Sequence, residues 1–367
     1  MLRRLRVAQH LFCSLEGSQL QEKLYLCAKL CKMEKCRFFF VALAAMIALS
    51  SCTPEFSQIA EYKDITIVFG LLNISQDTQY VKIQKAYLTD GNAYDEARNP
   101  ENIYYDEDKI DVSMRELVNG KERRSFPLYV TRSIPKDEGV FATEQVLYYT
   151  TEKLSVDNEY QLVIRNKETG KVVTGKTAVV GDFSVVTPIS SYLNMTNSKS
   201  VIKFYAAKNA YAYDVYMQFR YLEKNKETGE IKNGLIRWKL GSMGEQHGST
   251  VIMNYMPVSF YSIVAANLAP DPNVYRYAYG ECIDIEISAA GESYKIYLDV
   301  NAPSSSIVQD KLEFTNMETE DGTAYGIFSS RNITLRTYGL HPIAEDSLVR
   351  GSLTKNLGFR KFVDLDN

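Results

Sequence analysis

Histidine is nearly absent, with three in 367 residues. His10, His247 and His341 stand far apart, and neither of the last two lies in a His-x-x-x-His or Glu-x-x-His pattern. Both ligand count and ligand type therefore fail for a zinc centre. Tryptophan occurs once, as Trp238 between Arg237 and Lys239, where sugar-binding platforms lean on several. No Gly-x-Ser-x-Gly elbow is present, which removes one common route to a serine nucleophile. Of six cysteines, Cys13, Cys27, Cys31 and Cys36 precede residue 52, leaving only Cys52 and Cys282 beyond. Cys27 and Cys31 stand four apart near His10, but no second ligand pair completes a finger. Long apolar runs are scarce too. Val251 to Pro270 is broken by Asn254, Pro257, Ser259, Ser262 and Asn267, so it does not read as a membrane span.

One apolar run does stand out. Phe38 to Leu49 reads FFFVALAAMIAL, twelve residues, after Lys35 and Arg37 and before Ser50-Ser51-Cys52. A basic n-region, a short h-region and small residues are the order of a secretory signal, and twelve residues are too few to span a bilayer. Leu49-Ser50-Ser51-Cys52 resembles a bacterial lipobox, which implies cleavage before Cys52 and acylation of that cysteine. Met33 opens MEKCRFFF, the regular start for such a signal, so residues 1–32 read as an upstream extension of the frame; a long leader or a cytoplasmic helix is the alternative. Residues 1–51 are then extension plus signal peptide, and residues 52–60 a lipidated tether.

The chain carries 42 basic and 45 acidic residues; removing the eight basic and three acidic ones before Cys52 leaves 34 and 42, a net charge near −8. An acidic body argues against nucleic acid and against electrostatic docking on anionic lipid. The membrane is expected to hold this protein through acyl chains on Cys52, two or more giving a stable anchor. With Cys52 acylated, Cys282 has no partner for an internal disulfide.

The body reads with period two. Tyr160, Leu162 and Ile164 share a strand face, as do Ile110, Val112 and Met114, and Val81 and Ile83. Ile283, Ile285 and Ile287 alternate, and after Ala289-Ala290-Gly291-Glu292 so do Tyr294, Ile296, Leu298 and Val300, which predicts a β-hairpin. Asn-Lys-Glu-Thr-Gly occurs at 166–170 and again at 225–229, between strand-like runs, as recurrent turn chemistry. Phe260, Ile263, Val264, Asn267 and Leu268 follow helical spacing between Pro257 and Pro270, and Ala93 to Arg98 offers one further turn. The expected fold class is all-β: two β-sandwich domains, immunoglobulin- or transthyretin-like, with one or two short helices. The expected boundary is Thr187-Pro188, giving an N-terminal domain at 61–187 and a C-terminal β-rich domain at 188–367.

Three stretches resemble the envelope lipoproteins of unknown function found in Bacteroidota. Glu61 to Leu88 is similar to their first hairpin. Gly139, Phe141, Leu147, Tyr148, Tyr160, Leu162, Ile164, Gly170, Thr177 and Pro188 resemble their immunoglobulin-like unit. Phe314-Thr315-Asn316-Met317 and Gly326-Ile327-Phe328-Ser329-Ser330-Arg331 resemble their closing motif, although Thr323-Ala324 departs from its glycine-richer form. The resemblance implies a β-rich envelope protein and supplies no catalytic residues.

Candidate sites are few. Glu318, Glu320 and Asp321, followed by Gly322, could seat calcium through oxygen ligands, without EF-hand spacing. Asp106, Glu107 and Asp108 form a second acidic cluster. Cys282 sits in an alternating run and reads as a small buried residue. Tyr275, Tyr277 and Tyr279 alternate, as do Tyr211 and Tyr213, and an exposed row of rings could stack on sugars or on a partner. The readings that follow are, in order: a non-enzymatic, lipid-anchored envelope protein that binds or scaffolds another component, such as an outer-membrane protein; a fimbrillin-like pilus subunit that polymerises by strand addition; and a glycan-binding protein or hydrolase. No cofactor is expected. The expected address is the outer membrane, on its periplasmic face rather than the cell surface, because Thr53-Pro54-Glu55-Phe56 brings only one acid after the cysteine.

Overall fold

Alternation of apolar and polar side chains governs most of the chain, and the computed structural model is mostly β, in three sheets with short helices. It describes residues 63–87, 92–136, 144–246, 248–302 and 313–362. The signal, the tether, Cys52, Gly139, Phe141 and His247 lie outside these.

The first part of the chain gives β1 (Thr66–Leu72), β2 (Gln79–Lys85), α1 (Ala93–Glu96), α2 (Pro100–Ile103), β3 (Ile110–Val118), β4 (Lys121–Pro127) and β5 (Tyr129–Thr131). Then come β6 (Leu147–Thr150), β7 (Glu159–Asn166), β8 (Val172–Ala178), β9 (Val185–Thr187), β10 (Tyr192–Leu193), β11 (Ser200–Tyr205) and β12 (Ala212–Asn225). After these lie β13 (Ile231–Gly244), β14 (Thr250–Tyr255), α3 (Ser259–Asn267), β15 (Val274–Tyr277) and β16 (Ile283–Ala290). The last elements are α4 (Glu292–Asn301), β17 (Met317–Glu318), β18 (Ala324–Leu340), α5 (Pro342–Arg350) and β19 (Phe359–Arg360).

The largest sheet has eleven strands, in the order β19-β15-β12-β16-β18-β1-β2-β6-β5, with β13 on β12 and β10 on β18. A five-stranded sheet runs β17-β8-β7-β3-β4, and a three-stranded one runs β14-β11-β9. Two apolar cores lie between them. The first draws Val68, Ile83 and Phe328 from the large sheet, and Met114, Leu162 and Val173 from the five-stranded one. The second joins Ile202 and Val251 of the three-stranded sheet to Val215, Phe219 and Ile285, with Phe260 of α3 and Leu348 of α5. Core membership changes between Val179 and Val180.

Strand β18 is the member common to both cores, with Phe328 in one and Tyr338 in the other. Its first half pairs in parallel with β1, from Thr66–Ala324 to Leu72–Ser330, and its second half pairs antiparallel with β16. Gly326 makes the parallel seam fit. Its φ is +101°, and a Cβ there would run into the Val68 carbonyl oxygen. Asn316 braces the same strand: its Nδ2 donates to the Phe328 carbonyl at 2.7 Å, and its Oδ1 accepts from the Phe328 amide at 2.9 Å. An amide side chain thus stands in for one residue of a neighbouring strand.

The repeated pentapeptide folds the same way twice. Asn166 Oδ1 accepts from the amides of Glu168 and Thr169 at 2.9 and 3.2 Å, and Asn225 Oδ1 from Glu227 and Thr228, both at 2.9 Å. Gly170 and Gly229 close the loops at φ +73° and +71°. The asparagine caps the turn and the glycine takes its left-handed residue. The expected helix after Pro257 is α3, and the turn at residue 93 is α1.

Two expectations are corrected. The described residues hold five short helices, α1 to α5, where one or two were expected. Tyr294 to Val300 forms no second arm of a hairpin with β16; it is helix α4. Tyr297 already breaks the alternation, while Lys295 and Asp299 pair across one helical turn. The helix packs on β18, where the Tyr294 amide donates to Ser329 Oγ at 3.0 Å, and this cover buries Ile327 and Ser329.

Candidate functional site

The sequence-named tyrosines divide between core and surface. Tyr213 is buried against Phe204, with ring centroids 5.1 Å apart, and its hydroxyl accepts from the Ala207 amide at 2.8 Å. Tyr277 is buried as well. Tyr275 is half-buried between two cations, Lys226 Nζ at 4.3 Å and Arg360 Cζ at 4.9 Å from the ring centre. Tyr279 packs on Phe362, and Tyr211 is half-buried at the head of β12.

The acidic turn at 318–321 is occupied by its own chain. Asp321 Oδ1 accepts from the Thr323 hydroxyl at 2.6 Å and the Thr323 amide at 3.1 Å. These bonds hold its carboxyl below the usual aspartate range. Glu318 and Glu320 are exposed. Among the described residues, no group of three or more His, Cys, Asp or Glu side chains is placed to hold a metal ion. His341 caps α5, its Nδ1 accepting from the Ile343 amide at 3.3 Å. Cys282 lies in the second core, and burial pushes its thiol up to about 11, so it is not a ready nucleophile.

A cleft of about 840 Å³ holds the cluster at Asp106–Asp108. Five of its carboxylates, those of Asp64, Asp106, Glu107, Glu144 and Glu168, have partners already. Asp64 accepts from the Tyr105 hydroxyl at 2.7 Å and from Asn166 Nδ2 at 3.2 Å. Glu107 and Glu144 both pair with Arg132, and Glu168 pairs with Lys109 at 3.0 Å. Asp106 accepts from the Asp108 amide at 3.2 Å. Glu107, Glu144 and Glu168 are thereby committed to ion pairs rather than to proton transfer.

A different surface stands open. On β1, Ile67, Phe69 and Leu71 point away from the core, alternating with buried Val68, Gly70 and Leu72. On the same face, Tyr80 of β2 pairs directly with Tyr149 of β6, and Tyr149 with Tyr129 of β5. Three rings therefore form one row across adjacent strands, with centroids 6.4 and 6.1 Å apart. Tyr129 is 59% exposed, Phe69 42%, Tyr325 41% and Tyr80 37%. A groove of about 600 Å³ continues this face between β1 and α4, lined by Ile67, Phe69, Phe314, Tyr325 and Tyr297. No family model matches the chain, and no curated protein matches it.

Sequence periodicity runs along one strand, so it did not reveal a row built from residues 80, 129 and 149. Only the register of three strands brings them together. The alternation of Tyr275, Tyr277 and Tyr279, by contrast, is visible in sequence, but β15 ends at Tyr277.

Proposed function

We propose that this chain is a lipid-anchored, non-enzymatic protein of the bacterial cell envelope that binds or scaffolds another envelope component. The twelve-residue apolar run ending at Ser50-Ser51-Cys52 carries the reading. The body is read as two β-sandwich domains, 61–187 and 188–367, because it has two apolar cores that each draw side chains from two sheets, although Val180 already joins the second core and Met317, Ala324 and Phe328 return to the first. A binding role is supported by the open aromatic face, and a non-catalytic one by the sealed Cys282 thiol and the paired carboxylates of the cleft. Among the described residues no helix is long and apolar enough to cross a membrane, and the attachment proposed is through acyl chains on Cys52. Growing cells with a fatty-acid analogue labels the wild-type protein, and Cys52→Ala abolishes the label. An unlabelled wild type overturns the reading. Protease treatment of intact cells distinguishes the periplasmic face, favoured here, from the cell surface.

Edge strand β13 favours a second reading, a pilus subunit that grows by strand addition. Among the described residues this fourteen-residue strand pairs with β12 alone. Lys232, Arg237 and Lys239 and the irregular register opposite Val215–Tyr216 are features that guard an edge against pairing. Filaments on wild-type cells that vanish with a proline at Leu235 support this reading; their absence rejects it.

A further inference from the structure

We propose that the row Tyr129–Tyr149–Tyr80 is a stacking platform for an extended chain of pyranose sugars, so that the envelope component bound is a polysaccharide; this rests on the binding reading above. A pyranose presents an apolar C–H face with hydroxyls around its rim, and a tyrosine presents a flat apolar ring with a polar tip. The three rings follow one line across the sheet at 6.4 and 6.1 Å, which suits a linear ligand lying over successive rings. They are tilted by 39° and 51° to one another, as consecutive sugars in a chain also turn.

The hydroxyls support the same occupant. Tyr160, Tyr213 and Tyr261, all in the cores, spend theirs on hydrogen bonds inside the molecule. Those of Tyr80, Tyr129 and Tyr149 make none among the described residues and face solvent. No carboxylate lies on the outer face of β2, where Tyr80 is followed by Lys82 and Gln84.

Two other occupants fit less well. With Phe69 and Tyr325, the exposed parts of these rings amount to roughly 300–500 Å², taking about 150–250 Å² per aromatic side chain. A stable protein interface takes about 800 Å² from each partner. Single-stranded nucleic acid would also stack, but it needs a basic groove, and the body beyond Ser51 carries a net charge near −8.

The test uses the full chain in mild detergent. Native gels cast with xyloglucan or mixed-linkage β-glucan probe soluble polysaccharide, and co-sedimentation with purified peptidoglycan sacculi probes the cell wall. Wild type is retarded by at least one polysaccharide or sediments with sacculi, and the arm that responds names the source. Tyr129→Ala and Tyr80→Ala each weaken binding about fivefold to tenfold, while Tyr129→Phe, which keeps the ring and loses one hydroxyl, weakens it less than Tyr129→Ala. Wild type that binds neither probe overturns the proposal, as do alanine variants that bind like wild type. Should an alanine variant fold poorly, Tyr129→Lys, which keeps a long side chain at an exposed position, must abolish retardation. Fatty-acid labelling of the same preparations separates the two readings: a labelled protein that binds no sugar overturns the platform alone.

Discussion

The eleven-stranded sheet has two outer faces of opposite character. Over β12, β13 and β16 the face is a lattice of charge. Arg237 lies 3.7 Å over the Tyr216 ring and 2.9 Å from Glu286, Gln218 donates to Glu286 at 2.5 Å, and Lys239 and Ser242 both reach Asp214. Arg220 meets buried Asp284 at 3.1 Å. Over β1, β2, β5 and β6 the face is aromatic, and among the described residues it has no comparable lattice. Helix α4 packs on β18 between these two regions. The backbone pattern is alike on both sides. The difference is that one face satisfies itself through its own side chains, whereas the other leaves apolar area and hydroxyls for something else. Exposed apolar patches of this kind mark interaction sites more often than scattered apolar residues do.

The comparison can be broken hardest at the seam. Gly326→Val places branched carbons against the Val68 carbonyl at φ +101°, and a loss on the order of 4 kcal/mol, or failure to fold, is expected in urea melts. A variant as stable as wild type would remove the argument that β1 and β18 need that approach.

Next comes the support beneath the aromatic half. Glu116 of β3 is buried and accepts from Arg124 Nε at 2.5 Å, Asn158 Nδ2 at 2.6 Å and the Tyr160 hydroxyl at 3.1 Å. Burial pushes its carboxyl up, but these hydrogen bonds and the Arg124 charge outweigh it and hold it below the ordinary value of 4.5. Its contribution is therefore fully present above pH 4.5 and is lost as pH falls through the lower folded value. Glu116→Gln is expected to cost about 2–3 kcal/mol at pH 7 and to flatten the acid limb of stability against pH. An unchanged acid limb would mean that other carboxylates set it.

The ionic face is worth less. Arg237→Ala removes one ion pair and one cation–π contact, both partly exposed, so about 0.5–1 kcal/mol is expected, shrinking in 1 M salt. Smallest of all is Tyr129→Ala, expected to stay within about 0.5 kcal/mol of wild type in thermal melts. A large loss there would make Tyr129 a structural residue and erase the contrast between the faces.

Much of the architecture is written in local pattern. The two Asn-Lys-Glu-Thr-Gly loops carry their asparagine cap and positive-φ glycine within five residues, so like sequence folds alike. The strands with Ile110, Tyr160 and Ile283 alternate plainly. Helix α4 misleads because Tyr294, Ile296, Leu298 and Val300 satisfy period two, and only Tyr297 and the Lys295–Asp299 pair betray the helix. The shared strand β18 and the tyrosine row are set by pairings between distant residues, which no window of sequence contains.

Strand β18 also sets a clock. Ser330 Oγ donates to the Leu72 carbonyl across 258 residues of chain, beside the parallel ladder that joins the two strands. At about 5–20 residues per second of synthesis, that partner emerges roughly 13–50 s after β1 does. Through that interval β1 can pair with β2 on one side only, and the first core lacks Phe328. The molecule is thus completed from its far end backwards, and a ribosome that stops short of residue 324 releases a chain whose first strand has an open edge.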